Sequence, residues 1–160
     1  MSDVQIRAAQ VEDSAIILEF IRELAVFEKE PDAVTATITD IERNLFDEHT
    51  TTEAIICCLD GRPIGFAVYF LNFSTWLGKN GLYLEDLYIT PEFRNCGAGR
   101  KIIKYLAKKA VDTDCGRFEW SVLDWNESAI RFYESIGAEP LSEWTTYRLA
   151  GSRLKAFAGK

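Results

Sequence analysis

Apolar residues recur at helical spacing from Ile16 and Ile17 through Phe20, Ile21 and Leu24 to Phe27, which predicts an amphipathic helix with one core-facing side. Glu12, Asp13 and Ser14 supply caps and first-turn acids at its start, and the pattern stops between Glu28 and Pro31. Thr39-Asp40-Ile41-Glu42 opens a second helix, with Ile41, Leu45 and Phe46 as its apolar stripe. Strand patterns occupy Val4 to Ala8, then Ala54 to Leu59 and Pro63 to Phe73 on either side of Asp60-Gly61, the strongest short hairpin signal in the chain. A third long strand, Leu82 to Ile89, is ended by Thr90-Pro91 and followed by a helix over Arg100 to Val111. Phe118 to Leu123 alternates as a further strand. Asn126-Glu127-Ser128 opens a helix carrying Ile130, Phe132, Tyr133 and Ile136 that Gly137 closes. Trp144 to Leu149 is the last predicted strand.

This order predicts an α/β protein, a mixed sheet with helices on both faces, in which one domain takes up residues 1–160. With 48% hydrophobic residues the chain has the material for one substantial core. The amino terminus lacks a basic segment followed by an apolar stretch, and no uncharged window approaches the roughly twenty residues of a membrane span. A soluble cytoplasmic protein is the expectation, without a membrane partner. Cys57, Cys58, Cys96 and Cys115 form no C-x-x-C pair, and with a single histidine the chain offers little to a metal, so reduced thiols and no metal site are expected. A net charge of −7 argues against a nucleic-acid partner and favours small cations.

Between the third long strand and its helix lies Arg94-Asn95-Cys96-Gly97-Ala98-Gly99. Glycines let a backbone approach an anion closely, and the helix that follows adds free N–H groups and the positive end of its dipole. A pyrophosphate fits such a cradle. The Walker loop is excluded because Gly97 to Lys101 lacks its spacing and the hydroxyl after the lysine. The dinucleotide fingerprint is excluded because Gly99 is followed by Arg100, Lys101 and Ile102, without the third glycine. At a helix amino terminus Cys96 also has the setting of an activated thiol, which would suit a covalent route through that cysteine.

The central strand, Arg94 to Gly99, the following helix, and Asn126 through Phe132-Tyr133 to Gly137-Ala138 together resemble the GNAT superfamily of acyl-CoA-dependent N-acetyltransferases. Glu23-Leu24-Ala25, Trp76-Leu77-Gly78-Lys79, Leu82-Tyr83-Leu84-Glu85-Asp86 and Trp125-Asn126-Glu127 bring the chain closest to the diamine (spermidine/spermine) and thialysine N-acetyltransferases. The resemblance implies the GNAT fold, a mostly antiparallel sheet of about six to seven strands with about four helices. It also implies acetyl-CoA as cosubstrate, a small-molecule primary amine as acceptor, direct transfer in a ternary complex in place of the Cys96 route, and a homodimer whose contact includes the late strand. An enzyme acting on a protein lysine or amino terminus, and a non-catalytic acyl-CoA-binding sensor, are the alternative readings.

Acetyl transfer to an amine needs a held donor, a neutral amine, a polarised carbonyl and a proton for the departing thiolate. For the donor arm, the backbone of Asn95, Cys96, Gly97, Ala98, Gly99 and Arg100 would take the pyrophosphate, with Arg94 or Arg100 adding charge. The resemblance sets Leu87, Tyr88 and Ile89 beside pantetheine, where a splay or bulge could free backbone groups, and gives Asn126 a hydrogen bond to the pantetheine amide. An alkyl amine has a pKa of about 10.4, so a base is needed at neutral pH. The resemblance assigns that role to Glu85, with substrate-cation binding to Glu85 or Asp86, which a regular strand would point to opposite faces. It gives Tyr133 the role of acid, Glu28 a contact with the polyamine, and Trp76 an apolar or cation–π wall. Two positions depart from the polyamine pattern: Phe27 replaces a tyrosine, and Ser74 replaces an aspartate. A long polycation loses a hydroxyl and a carboxylate there, so a shorter amine or a lysine-like amino acid such as thialysine fits at least as well.

Overall fold

The computed structural model describes residues 3–160, arranged as two compact units, one reaching to Ser121 and one from Val122 to Lys160. The first unit is built on a sheet of five strands in sequential order: β1 (Val4–Ala8), β2 (Thr52–Leu59), β3 (Arg62–Ser74), β4 (Lys79–Ile89) and β5 (Arg117–Trp120). The first four strands pair antiparallel, and β5 joins β4 in parallel, the pairing that a strand–helix–strand crossover produces. Three helices belong to this unit: α1 (Ser14–Phe27), α2 (Ile38–Phe46) and α3 (Ala98–Asp112). The second unit holds α4 (Glu127–Ser135) and α5 (Gly151–Phe157). None of the described helices is long and apolar enough to cross a membrane.

The helix starts follow from local chemistry. Thr37 and Asp40 form a capping box: the Thr37 hydroxyl accepts from the Asp40 N–H (3.2 Å) and the Asp40 carboxylate from the Thr37 N–H (2.8 Å), so α2 is capped at Thr37 and begins at Ile38, one residue before Thr39. At α1 a single 3-10 turn, Val11–Asp13, precedes the helix, and Asp13 accepts two hydrogen bonds from Arg7 (2.7 and 2.9 Å), which tie β1 to the helix start.

The two faces of the sheet have different covers. Ile17, Leu18 and Phe20 of α1 and Ile41 of α2 pack on Ile56, Cys58, Phe66, Val68 and Tyr88, with Phe20 stacked on Phe66 at 5.7 Å between ring centroids. Tyr69 alternates with Val68 and so faces the other way, where Lys109 of α3 sits over its ring at 5.5 Å. The α3 residues Ile102, Ile103, Leu106 and Ala110 are buried on that side. In β2, Cys57 is fully buried and Cys58 nearly so; burial raises the Cys57 thiol to about 11. All four cysteines are free, and Cys96 is exposed.

Three expectations need correction. Trp144 to Leu149 is not a strand: among the described residues no strand partner lies beside it, and Trp144, Tyr147 and Leu149 are exposed. Alternation marks a chain fit for a sheet, but a strand exists only when another backbone accepts its hydrogen bonds. Among the described residues the sheet therefore has five strands, fewer than the six or seven implied, and β5 ends at Trp120 in place of Leu123. Conversely, α5 gave no sequence signal, because none of its residues is buried and no apolar stripe marks it.

β3 and β4 approach closely at Gly65, which pairs with Ile89. A Cβ there would lie 2.2 Å from the Tyr88 carbonyl oxygen and 2.6 Å from Ile89 Cδ1. Gly65→Ala is expected to destabilise the protein by about 1–3 kcal/mol, read as a lower urea midpoint with an unchanged slope. An unmoved midpoint would mean that the strand pair spreads to admit the methyl group.

Candidate active site

The pairing of β3 with β4 slips once. Val68 faces Asp86 and Tyr69 faces Leu84, which leaves Glu85 as the extra residue of a bulge. Cross-strand partners share a face, so Leu84 lies on the α3 side with Tyr69, while Asp86 and Tyr88 lie on the α1 side with Val68 and Phe66. Regular alternation, which would set Glu85 and Asp86 on opposite faces, is interrupted at this point. The irregularity also sits earlier than Leu87 to Ile89, which stay in register with Ala67, Phe66 and Gly65. On the other edge the last β4–β5 pair is Leu84 with Trp120, so β4 continues over Glu85 to Ile89 without β5 beside it. A backbone edge with free N–H and C=O groups is a template for another extended chain.

The slip gathers carboxylates. Burial, with the nearby charges of Glu85 and Glu28 acting in the same direction, raises the Asp86 carboxyl to about 6. Burial also raises Glu28, at the carboxyl end of α1. Glu85 itself is exposed. A carboxylate tuned toward neutrality beside an accessible one can exchange a proton with an amine, directly or through water.

Phe27, Tyr88 and Arg94 form a stack beside these acids. The Arg94 guanidinium lies 4.9 Å from the Phe27 ring centre and 5.4 Å from that of Tyr88, and its Nε donates to the Ile89 carbonyl (2.9 Å). The side chain expected to add charge at the glycine cradle is thus tied to the junction of α1 and β4. With Glu23, Val26, Thr90, Pro91 and Glu92, these three residues line an open groove of about 450 Å³. Burial and a hydrogen bond to Glu23 raise the Tyr88 phenol to about 12, so it stays protonated at neutral pH. Glu23, Thr90 and Glu92 escaped the sequence reading as site residues. One signal was present: Glu23 stands three residues after Phe20 and four before Phe27, an acid on the apolar stripe of α1.

The cradle has the conformation that its glycines predict. Asn95 and Gly97 take left-handed backbone angles, with φ of 66° and 84°, and Gly97 is the N-cap of α3. The Lys101 N–H reaches back to the Gly97 carbonyl at 3.0 Å as the first helical hydrogen bond, so the N–H groups of Ala98, Gly99 and Arg100 precede the helical ladder. A Cβ at Gly97 or Gly99 would find nothing within 4 Å, so the loop keeps open space where a phosphate can approach the backbone. The Cys96 thiol donates to the Phe93 carbonyl at 2.8 Å.

Trp76 and Ser74 stand at the connection between β3 and β4. Ser74 is buried, and its hydroxyl accepts from the Leu77 N–H (3.2 Å) in the turn between β3 and β4. Trp76, 88% exposed, lies in the same turn. From Lys79, the first residue of β4, six strand steps of about 3.3 Å lead to Glu85, about 20 Å away. The wall over the acceptor expected of Trp76 thus concerns a side chain beyond the far end of the strand from Glu85. In the second unit Asn126 caps α4, its side chain accepting from the Ala129 N–H at 3.4 Å. Burial raises the phenol of Tyr133, which lies beside the Phe132 ring on that helix.

The Asp86 carboxyl gives a testable sign. Between pH about 4 and about 6 the native protein binds more protons here than the unfolded chain, so this group's contribution falls as pH rises and is most unfavourable above 6. Asp86→Asn is expected to raise stability at pH 8 by about 1–3 kcal/mol and to lose that gain toward pH 4. Calorimetric melting temperatures at the two pH values test it; a gain of equal size at both would reject the raised carboxyl.

The sequence profile of the Acetyltransferase (GNAT) family matches residues 18–138. Across its full length the chain is 37% identical to thialysine N-epsilon-acetyltransferase of Sus scrofa, with all of both chains covered. It is 34% identical to the spermidine/spermine N(1)-acetyltransferase-like protein 1 of Homo sapiens, over 92% of this chain and 23% of that protein. Among solved structures, an integron cassette protein from the mobile metagenome of V. cholerae superposes with a TM-score of 0.82 over 98% of both chains at 27% identity. A bulged strand with an open edge, a glycine cradle at a helix start and these matches lead to one conclusion: the chain belongs to the GNAT family of acetyltransferases.

Proposed function

We propose that this protein transfers the acetyl group of acetyl-CoA to a primary amine of a small molecule, a lysine-like amino acid such as thialysine or a short diamine. The observation that carries the reading is the set of carboxylates Glu28, Glu85 and Asp86 gathered at the β4 slip, a setting for a cationic amine that must lose a proton before it reacts. Full-length similarity to a thialysine acetyltransferase supports the acceptor class.

Bound acetyl-CoA supplies an activated acetyl group. The N–H groups of Asn95 to Arg100 hold its pyrophosphate, Arg100 adds charge from the exposed side of α3, and the β4 edge at Leu87 to Ile89, which β5 does not cover, pairs with the pantetheine arm. One N–H of that edge also polarises the acetyl carbonyl. Glu85 removes the proton from the amine, and Asp86 and Glu28 hold the cation before it is lost, with Phe27 as an apolar neighbour. Asn126 hydrogen-bonds the donor, and Tyr133, whose phenol stays protonated, returns a proton to the departing thiolate. The Cys96 hydrogen bond to Phe93 favours direct transfer over an acyl-cysteine.

Residues 1–160 act as one catalytic domain, a reading supported by a family match over residues 18–138. The protein acts as a homodimer, for which the exposed Trp144, Tyr147, Leu149, Leu154 and Phe157 provide apolar surface, and it resides in the cytoplasm, where four free thiols are at home.

A free-thiol assay with acetyl-CoA and thialysine, lysine, putrescine, spermidine, spermine and a lysine peptide tests the proposal. Saturable release with a small amine is expected, strongest for thialysine or a short diamine. Glu85→Gln and Tyr133→Phe should each lower kcat by about a hundredfold or more while acetyl-CoA still binds. Release with the peptide alone would favour a protein acceptor, and binding without release would favour an acyl-CoA sensor.

A further inference from the structure

The groove between α1 and the end of β4 contains polar atoms that the fold leaves unsatisfied. Glu23 Oε2 and Thr90 Oγ1 are both buried, and neither has a hydrogen-bond partner among the described residues. Both residues line the groove. A buried carboxylate oxygen without a donor is unfavourable by about 1–3 kcal/mol or more, and such an atom at the wall of an open groove calls for a donor from outside the protein. Apolar residues fill the rest of this stripe, and the Glu23 carboxylate engages the Tyr88 hydroxyl, which leaves Oε2 unserved.

The walls define the ligand. Glu23 and Glu92 bring two carboxylates and Arg94 one guanidinium, so the groove carries one net negative charge. The Arg94 guanidinium is already engaged with the Phe27 and Tyr88 rings and the Ile89 carbonyl. Phe27, Tyr88, Val26 and Pro91 supply an apolar lining for a methylene chain. A single ammonium group on an alkyl stem matches this set: its hydrogens can serve Glu23 Oε2 and Thr90 Oγ1, and its charge balances the groove. Position adds direction. Asp86 and Tyr88 follow one another on the α1 side of β4, about 7 Å apart, and Thr90 comes two residues later.

We infer that this groove is the subsite for the second, non-reacting ammonium group of the acceptor, with Glu23 and Thr90 as its specificity-determining residues. The inference rests on the small-amine acetyltransferase reading and deepens it. The reacting amine sits at Glu85 and Asp86, and the distal ammonium, that of a diamine or the α-ammonium of a lysine-like amino acid, lies along β4 toward Arg94. Such a subsite selects a neutral amine at one end and a cation at the other, so monoamines of the same length bind poorly.

The test compares cadaverine with pentylamine, which share a carbon chain and differ by one amino group, in the thiol-release assay on the full-length protein. The wild type is expected to favour cadaverine, chiefly through KM. Glu23→Gln keeps size and an acceptor for Tyr88 but removes the charge; it should reduce that preference about tenfold or more, and Thr90→Val should reduce it several-fold. Should Glu23→Gln fail to fold, Thr90→Val carries the same comparison, and calorimetric titration of cadaverine into the protein gives a reading independent of turnover. An unchanged preference in both variants overturns the inference, as does an equal loss for both amines. Weaker acetyl-CoA binding with the preference intact also overturns it, because the groove would then serve the donor. Absence of turnover with every amine would reject the acetyltransferase reading itself, a separate result.

Discussion

The register slip opposite Val68 and Tyr69 is the constraint on which the site depends. Without it, residues 84, 86 and 88 would share a face, and either Leu84 or Asp86 would meet the wrong surroundings. One extra residue lets Leu84 stay in the apolar layer under α3 while Asp86 turns to the α1 side, beside Glu28 and the aromatic stack. The same strand loses its β5 neighbour just there, so a bulge on one edge and an edge uncovered by β5 on the other coincide over Glu85 to Ile89. Carboxylates for an amine and an open edge for an extended donor come from a single local irregularity.

Stability and chemistry pull against each other at this point. Burial that keeps water from Asp86 also opposes its charge, and the two glutamates nearby add repulsion. The surrounding core compensates. Phe20 stacks on Phe66 and lies 6.1 Å from Tyr88 at a tilt, and Arg7 holds the start of α1 through Asp13, so the helix that presents Glu23, Phe27 and Glu28 is fixed at both ends of its contact with the sheet. A site of this kind needs a rigid frame, because like charges otherwise separate.

Much of this was legible in the chain, and the exceptions have physical causes. Helices with a buried stripe, such as α1 and α3, and the hairpin at Asp60-Gly61 announce themselves by local periodicity and turn chemistry. The cradle could be read because positive φ at Gly97 and a helix start leave a residue-level signature. The bulge could not: it depends on how two strands pair, and no periodicity in β4 alone records it. The setting of Trp76 and Ser74 is hidden for a related reason, since a motif in sequence says nothing about the length of strand that separates it from Glu85. Trp144 to Leu149 has strand composition without a strand partner, which is a property of neighbours and not of the segment.

The cysteines of β2 turn the sheet into its own clock. Cys57 is fully buried and carries a thiol far from ionisation, and Cys58 is buried against the opposite helix layer, whereas Cys96 stands exposed in the cradle. An alkylating reagent reacts with thiolate, so Cys96 would be consumed first while the β2 pair waits for the strands to separate. Labelling of β2 thereby measures how often the centre of the sheet opens, and protection of Cys96 measures what occupies the cradle, two readings from one chain in one experiment.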